Sequence, residues 1–306
     1  MVARHVEVPD RLRTLKRAVP EPAKRLGRVV LRDYGVRTAR SRPLPDFLII
    51  GAKRGGTTSL WNYLVKHPQV MPMFPAVQQI KSPHYFDINY AKGERWYRST
   101  FPTATQRRAA QARTGKPVVT GEASPYYMFH PLAAERAAAL VPRAKIVVSL
   151  RNPVDRAYSN YHERRGCGVE PLETFEEALA AEDGRLRGEE ERILADPTYY
   201  SPSHDSHTYR ARGRYLEHLD RWLTRYDPAD VLVLLQEDLA RDAHTVFTRL
   251  CDFLQIDTVT LPDYVRHNHL PVQRIAPETR RELVEYYRPH NAALAERLGI
   301  DLPWDR

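Results

Sequence analysis

Two short stretches of this chain combine cations, glycines and hydroxyls in the way a phosphate site requires. The first, Gly51-Ala-Lys-Arg-Gly-Gly-Thr-Thr58, places Lys53 and Arg54 ahead of Gly55, Gly56, Thr57 and Thr58. Glycines let backbone N–H groups approach phosphate oxygens, and a helix starting there adds unsatisfied N–H groups and a favourable dipole. The second, Arg151-Asn-Pro-Val-Asp-Arg-Ala-Tyr-Ser159, sets a guanidinium ahead of a serine. A fork-shaped donor aided by a hydroxyl suits a second phosphate. The first stretch is not a nucleoside-triphosphate P-loop, because Thr57 stands where that motif carries its lysine. A triphosphatase also wants magnesium held by a downstream aspartate, and the strand before Asn152 ends in arginine instead. Two phosphate pockets without a metal site fit a nucleotide with separate 5′ and 3′ phosphates. A P-loop kinase or other nucleotide hydrolase stays as the alternative.

The elements that must position these residues are legible around them. Asp46–Ile50 is a short apolar run bounded by turn residues and reads as a buried strand. The glycine loop follows, then a helix in which Leu60, Tyr63 and Leu64 share a face, stopped by His67-Pro68. Lys145–Leu150 is a second strand, followed by a turn and a helix over Val154 to Arg165. Val231–Gln236 is a third strand leading into a helix through about Leu254, and Val118–Thr120 a fourth candidate. Uniformly apolar strands alternating with helices mean a parallel sheet covered on both faces. The expected fold is α/β and P-loop-like, three layers α/β/α around a central parallel sheet. One domain, residues 43–306, follows a basic extension, residues 1–42, with a proline-rich linker between them.

The net charge of +9 suggests a polyanion partner until it is located. Residues 1–42 hold 12 Lys or Arg against 4 Asp or Glu, whereas the rest carries 35 against 34. The leader reads either as an arm for an anionic surface or as a solvated helical extension packed beside the domain. No nucleic-acid partner is expected, and peripheral membrane contact through the basic N-terminus is the partner the leader allows. No run approaches the ~20 apolar residues of a membrane span, and no secretory signal is visible, so a cytoplasmic location is expected. Cys167 and Cys251 are too few for a disulfide framework or zinc site, and Cys251 reads as core. Trp96, Tyr97 and Phe101 also read as core, and His204 with His207 lacks a third ligand for a metal.

FLIIGAKRGGTTSLWNYLVKHP and VVSLRNPVDRAYSNYHERR resemble the sulfotransferase family, especially its heparan sulfate N- and 3-O-sulfotransferase branch and similar bacterial proteins. KSPHYFDINYAKGERWYRSTFP, TGEASPYYMFHP and GRYLEHLDRWLTRYDPADVLVLLQEDL match in the same order, the tail TRRELVEYYRPHNAALAERLGIDLPW also fits, and the resemblance spans roughly residues 45–304. It implies transfer of a sulfuryl group from 3′-phosphoadenosine 5′-phosphosulfate to a hydroxyl or amine. The acceptor would be a carbohydrate, glycolipid or small natural product, and the displacement in-line and metal-independent. By position, Arg54, Gly55, Gly56, Thr57 and Thr58 would cradle the 5′-phosphosulfate, and Arg151 and Ser159 the 3′-phosphate. Arg274 is a further phosphate contact of this kind, near His267 and His269.

The chain departs from the family in three places. Arg54 replaces a lysine that bridges phosphate and leaving sulfonate, a role Lys53 could assume. Ser82 stands where the 3-O branch has its catalytic glutamate, and Ala123 where a lysine is expected after Glu122. A serine hydroxyl is too weak to serve alone as a general base. His84 is the first candidate for that role and Glu122 the second, while His84 could instead only order its loop. The loss at position 82 also keeps open a catalytically inactive nucleotide-binding protein.

Overall fold

The computed structural model describes residues 21–265 and 275–304. Among them, apolar strands and amphipathic helices alternate: α1 (Glu21–Arg37), β1 (Phe47–Gly51), α2 (Thr57–Leu64), β2 (Val70–Met71), α3 (Gly93–Arg98) and α4 (Ala104–Thr114) come first. Then follow β3 (Val119–Ala123), α5 (Ala133–Leu140), β4 (Lys145–Leu150), α6 (Pro153–Gly166), α7 (Phe175–Leu186), α8 (Glu189–Ala195) and α9 (Pro202–Ser206). The chain continues through α10 (Tyr215–Leu223), β5 (Val231–Leu235), α11 (Gln236–Arg241), α12 (Ala243–Phe253) and α13 (Pro277–Leu298).

The strands form one five-stranded sheet in the order β2-β3-β1-β4-β5, and every neighbouring pair is parallel. The α/β fold with a central parallel sheet is therefore the one observed. All of β1 is buried, as its uninterrupted apolar run demands. β3 runs further than the candidate at Val118–Thr120, because pairing with β1 carries through Gly121 to Ala123. A two-residue strand such as β2 has too little sequence to announce itself. From β1 the chain crosses to β2 and β3 on one side, then returns to β4 and β5 on the other. The carboxyl ends of β1 and β4 thus flank the point where strand order reverses, the crevice in which open α/β sheets bind ligands.

Residues 32–42 make contact with the body of the protein. Arg32 sits over the Trp96 ring at 4.8 Å and donates to Ser99 Oγ at 3.2 Å. Arg42, in the stretch read as a linker, is fully buried, with its guanidinium 4.1 Å above the Phe74 ring and NH1 donating to the Phe101 carbonyl. Among the described residues no helix is long and apolar enough to cross a membrane.

The loop after β1 is pinned to β4 by backbone contact. Ala52 N–H donates to the Ser149 carbonyl at 2.8 Å, and Ser149 Oγ donates to the Gly55 carbonyl at 2.6 Å. A Cβ on Gly55 would stand 2.2 Å from the Ser149 carbonyl oxygen, so only glycine permits this approach. Gly55→Ala is expected to lose about 2 kcal/mol of stability in a denaturant titration. An unchanged midpoint would mean that the loop is not held this way.

Candidate active site

The pinned loop delivers the N-terminus of α2 to the crevice. Gly56 adopts φ +93° as its N-cap and offers no side-chain acceptor to the first-turn amides. On the neighbouring strand end, Asn152 caps α6 by accepting from Val154 N–H at 3.0 Å and Asp155 N–H at 3.3 Å, with Pro153 in the first turn. That cap aims Ser159 and Glu163 back over the loop. Between the two helix starts opens a cavity of about 350 Å³, lined by Lys53, Arg54, Thr57, Thr58, Lys81 and Arg151 among others. Among the described residues, Glu163 is the one carboxylate in this lining.

The structure brings Lys53, Arg54, Gly56, Thr57, Thr58 and Arg151 to this cavity, whereas Gly55 packs against Ser149 and Ser159 is joined to Arg54. Arg54 Nε donates to Ser159 Oγ at 3.0 Å, and its NH1 stands 3.6 Å from Glu163 Oε1. Lys53 lines the same cavity, but its ammonium turns to α9, donating to Asp205 Oδ1 at 3.2 Å and the Asp205 carbonyl at 3.1 Å. A different lysine stands over the start of α2: Lys81 Nζ donates to Thr58 Oγ1 at 2.7 Å. Burial lowers Lys81 to about 8, with Arg54 acting in the same direction and Glu163 opposing. Sequence reasoning missed Lys81, although it opens the quoted KSPHYFD segment. Its signal was a lone cation beside the serine already singled out. Arg274, His267 and His269 lie outside the described residues.

His84 adopts φ +51°, three positions beyond Lys81. Its Nδ1 hydrogen-bonds Asp87 Oδ2 at 2.8 Å, and its backbone N–H donates to Ser124 Oγ at 3.2 Å. Burial alone would lower the imidazole pKa, but the hydrogen bond and charge of Asp87 outweigh it and raise the value above 6.5. The His-x-x-Asp spacing was the available signal for Asp87. Ser82 is spent on the Ala123 carbonyl, to which its hydroxyl donates.

Glu122 requires a correction as a candidate base. Its side chain is 0% exposed and accepts from Tyr97 OH at 2.7 Å, Tyr127 OH at 2.9 Å and Ser124 Oγ at 2.6 Å. Three hydroxyls enclose it, and it is not among the described residues that line the cavity. It serves to hold Ser124, which in turn holds the His84 backbone.

With this geometry established, comparison with known proteins decides the kinship. The family described as sulfotransferase domain matches residues 44–280. This chain belongs to that family. A crystal structure of a sulfotransferase from Alicyclobacillus acidocaldarius is 31% identical, with a TM-score of 0.65, over 86% of this chain and 100% of that one. The bifunctional heparan sulfate N-deacetylase/N-sulfotransferase 1 of Caenorhabditis elegans is 29% identical over 228 residues, 74% of this chain. The heparan sulfate glucosamine 3-O-sulfotransferase 3B1 of mouse is 28% identical over 291 residues, 87% of this chain. This sulfotransferase-family chain spans only 24% of the length of the former and 66% of the latter.

Burial raises the Glu122 carboxyl to about 7, its three hydroxyl donors only partly compensating. A carboxyl raised in the folded state favours folding while protonated. Relative to Glu122→Gln, the wild type should therefore be most stable below about pH 4.5. It should lose on the order of 3 kcal/mol as pH rises to about 7, then stay level. Denaturant titrations of both proteins across that range check this, and parallel curves would refute it.

Proposed function

We propose that this chain transfers a sulfuryl group from 3′-phosphoadenosine 5′-phosphosulfate to a hydroxyl or amine of a saccharide acceptor by in-line displacement. The observation that carries this reading is the set of cations and hydroxyls gathered at two adjacent strand ends. The α2 N-terminus with Arg54 and Lys81 stands at one and Arg151 at the other, with Ser159 joined to Arg54. A cavity of about 350 Å³ lies within the range of small-molecule clefts, and its cations outnumber its single carboxylate. The donor's two phosphate-bearing ends suit that spacing and charge. The names of the relatives, which specify heparan sulfate and its glucosamine, support a saccharide acceptor.

In this reading the acceptor oxygen or nitrogen forms a bond to sulfur while the sulfur–oxygen bond to the 5′-phosphate breaks. Adenosine 3′,5′-bisphosphate leaves with the bonding pair. Arg54, Lys81 and the first amides of α2 meet the charge that develops on the leaving oxygen, and preorganised donors of this kind supply much of the acceleration in such sites. Lys53 contributes its charge from the rim, fixed by Asp205. The acceptor proton passes to His84 Nε2, with Asp87 on the opposite nitrogen orienting the ring and stabilising the imidazolium.

Isothermal titration with adenosine 3′,5′-bisphosphate in the absence of metal should give binding that weakens about 10- to 100-fold in Arg151→Ala, the effect of losing a charge-assisted contact. Binding of magnesium-ATP with none of the bisphosphate would overturn this reading in favour of a nucleotide kinase. Because His84 acts as the neutral base, activity should rise with pH through its pKa, which Asp87 holds up. Asp87→Asn should therefore move the acid limb of the kcat/KM profile to lower pH while reducing kcat. An unmoved limb would remove His84 from the role.

A further inference from the structure

Behind the phosphate loop lies a second, much smaller cavity, lined by Lys53, Met128, Phe129, Arg156, Arg212 and His218 among others. Its chemistry is unusual. Arg156 is 0% exposed and Arg212 is 4% exposed. Each guanidinium commits only NH2: Arg156 donates to the Tyr209 carbonyl, and Arg212 to the carbonyls of His204 at 2.7 Å and Asp205 at 2.8 Å. Nε and NH1 of both arginines, and Nδ1 of His218, have no hydrogen-bond partner among the described residues.

Charge is unbalanced in the same place. Asp205 is shared, with Oδ1 at 3.2 Å from Lys53 Nζ and 3.5 Å from Arg212 NH2. Glu182, the acid that bears on Arg156, already accepts from the Arg210 and Ala211 amides at 2.7 and 2.8 Å. Arginine cannot relieve burial by releasing its proton. Water could satisfy the idle N–H groups but not the surplus positive charge. The Arg212 guanidinium lies over the Phe129 ring at 4.6 Å and the Tyr126 ring at 5.0 Å, so its remaining N–H groups are presented from its edge. The space is small, about 10 Å³ against about 350 Å³ for the first cavity.

We infer that this cavity binds one small monovalent anion, of the size and charge of chloride, between Arg156 and Arg212. The inference stands apart from the proposed reaction, since the site is built from residues behind the donor cavity and shares only Lys53 and Pro125 with it. The ion would neutralise part of the buried charge against which the phosphate loop is packed.

The test uses the full chain, first exchanged into sodium gluconate and then titrated with sodium chloride at constant ionic strength. Tm should rise saturably, by about 2 °C when chloride reaches roughly ten times its Kd. The rise should vanish in Arg156→Met. Should that variant not fold, wild-type crystals grown in bromide should show an anomalous peak between Arg156 and Arg212. The chloride response should also persist with adenosine 3′,5′-bisphosphate at saturation. Its disappearance there would place the ion in the donor cavity and overturn the inference. Identical Tm in chloride and gluconate with no bromide peak would mean that water alone fills the space, which overturns it equally.

Discussion

The close approach of Gly55 to the carbonyl of Ser149 is the constraint on which the rest of the site depends. No side chain fits between the loop after β1 and the end of β4. The reciprocal bonds from Ala52 to Ser149 and from Ser149 to Gly55 therefore weld two adjacent strand ends into one platform. Because β1 and β4 straddle the reversal of strand order, that platform faces an open crevice rather than a covered edge. The α2 N-terminus rises from one side and the Asn152-capped α6 from the other. Two helix starts are thereby held side by side at the crevice before any cation is placed.

The cations then arrange themselves around the carboxylates within reach. Arg54 bonds Ser159 and leans toward Glu163, and Lys53 is drawn to Asp205, which leaves Lys81 over the threonines at the start of α2. Burial makes each of these pairings matter, since a charge removed from water needs a partner close by. The Asp87 and Glu122 carboxylates divide in the opposite sense. Asp87 supports the His84 ring, whereas Glu122 is enclosed by hydroxyls and steadies the loop that carries it. Two acids near one another in space thus hold different parts of the same scaffold.

Much of this was legible in the chain. The apolar runs at Phe47–Ile50, Lys145–Leu150 and Val231–Leu235 announce buried parallel strands, and Asn152-Pro153 announces a helix start. The glycine loop and the Arg151–Ser159 pair were readable because their chemistry is local. Each motif keeps its meaning within about three helical turns of sequence. Lys81 was not readable in the same way, because its contact with Thr58 crosses from one loop to another helix. Nor was the end of Lys53, whose partner Asp205 lies 152 positions along the chain.

The sequence by itself therefore determined the sheet, the phosphate loop, its glycines and the cationic character of the crevice, all of which follow from periodicity and steric need. Only the tertiary structure decided which cation stands over the helix start, that Glu122 is sealed, and that Arg156 and Arg212 share a cavity with idle N–H groups. The physical reason is range. Backbone conformation answers to near neighbours, but the state of a charged side chain is set by burial and by partners that only folding brings within a few ångströms.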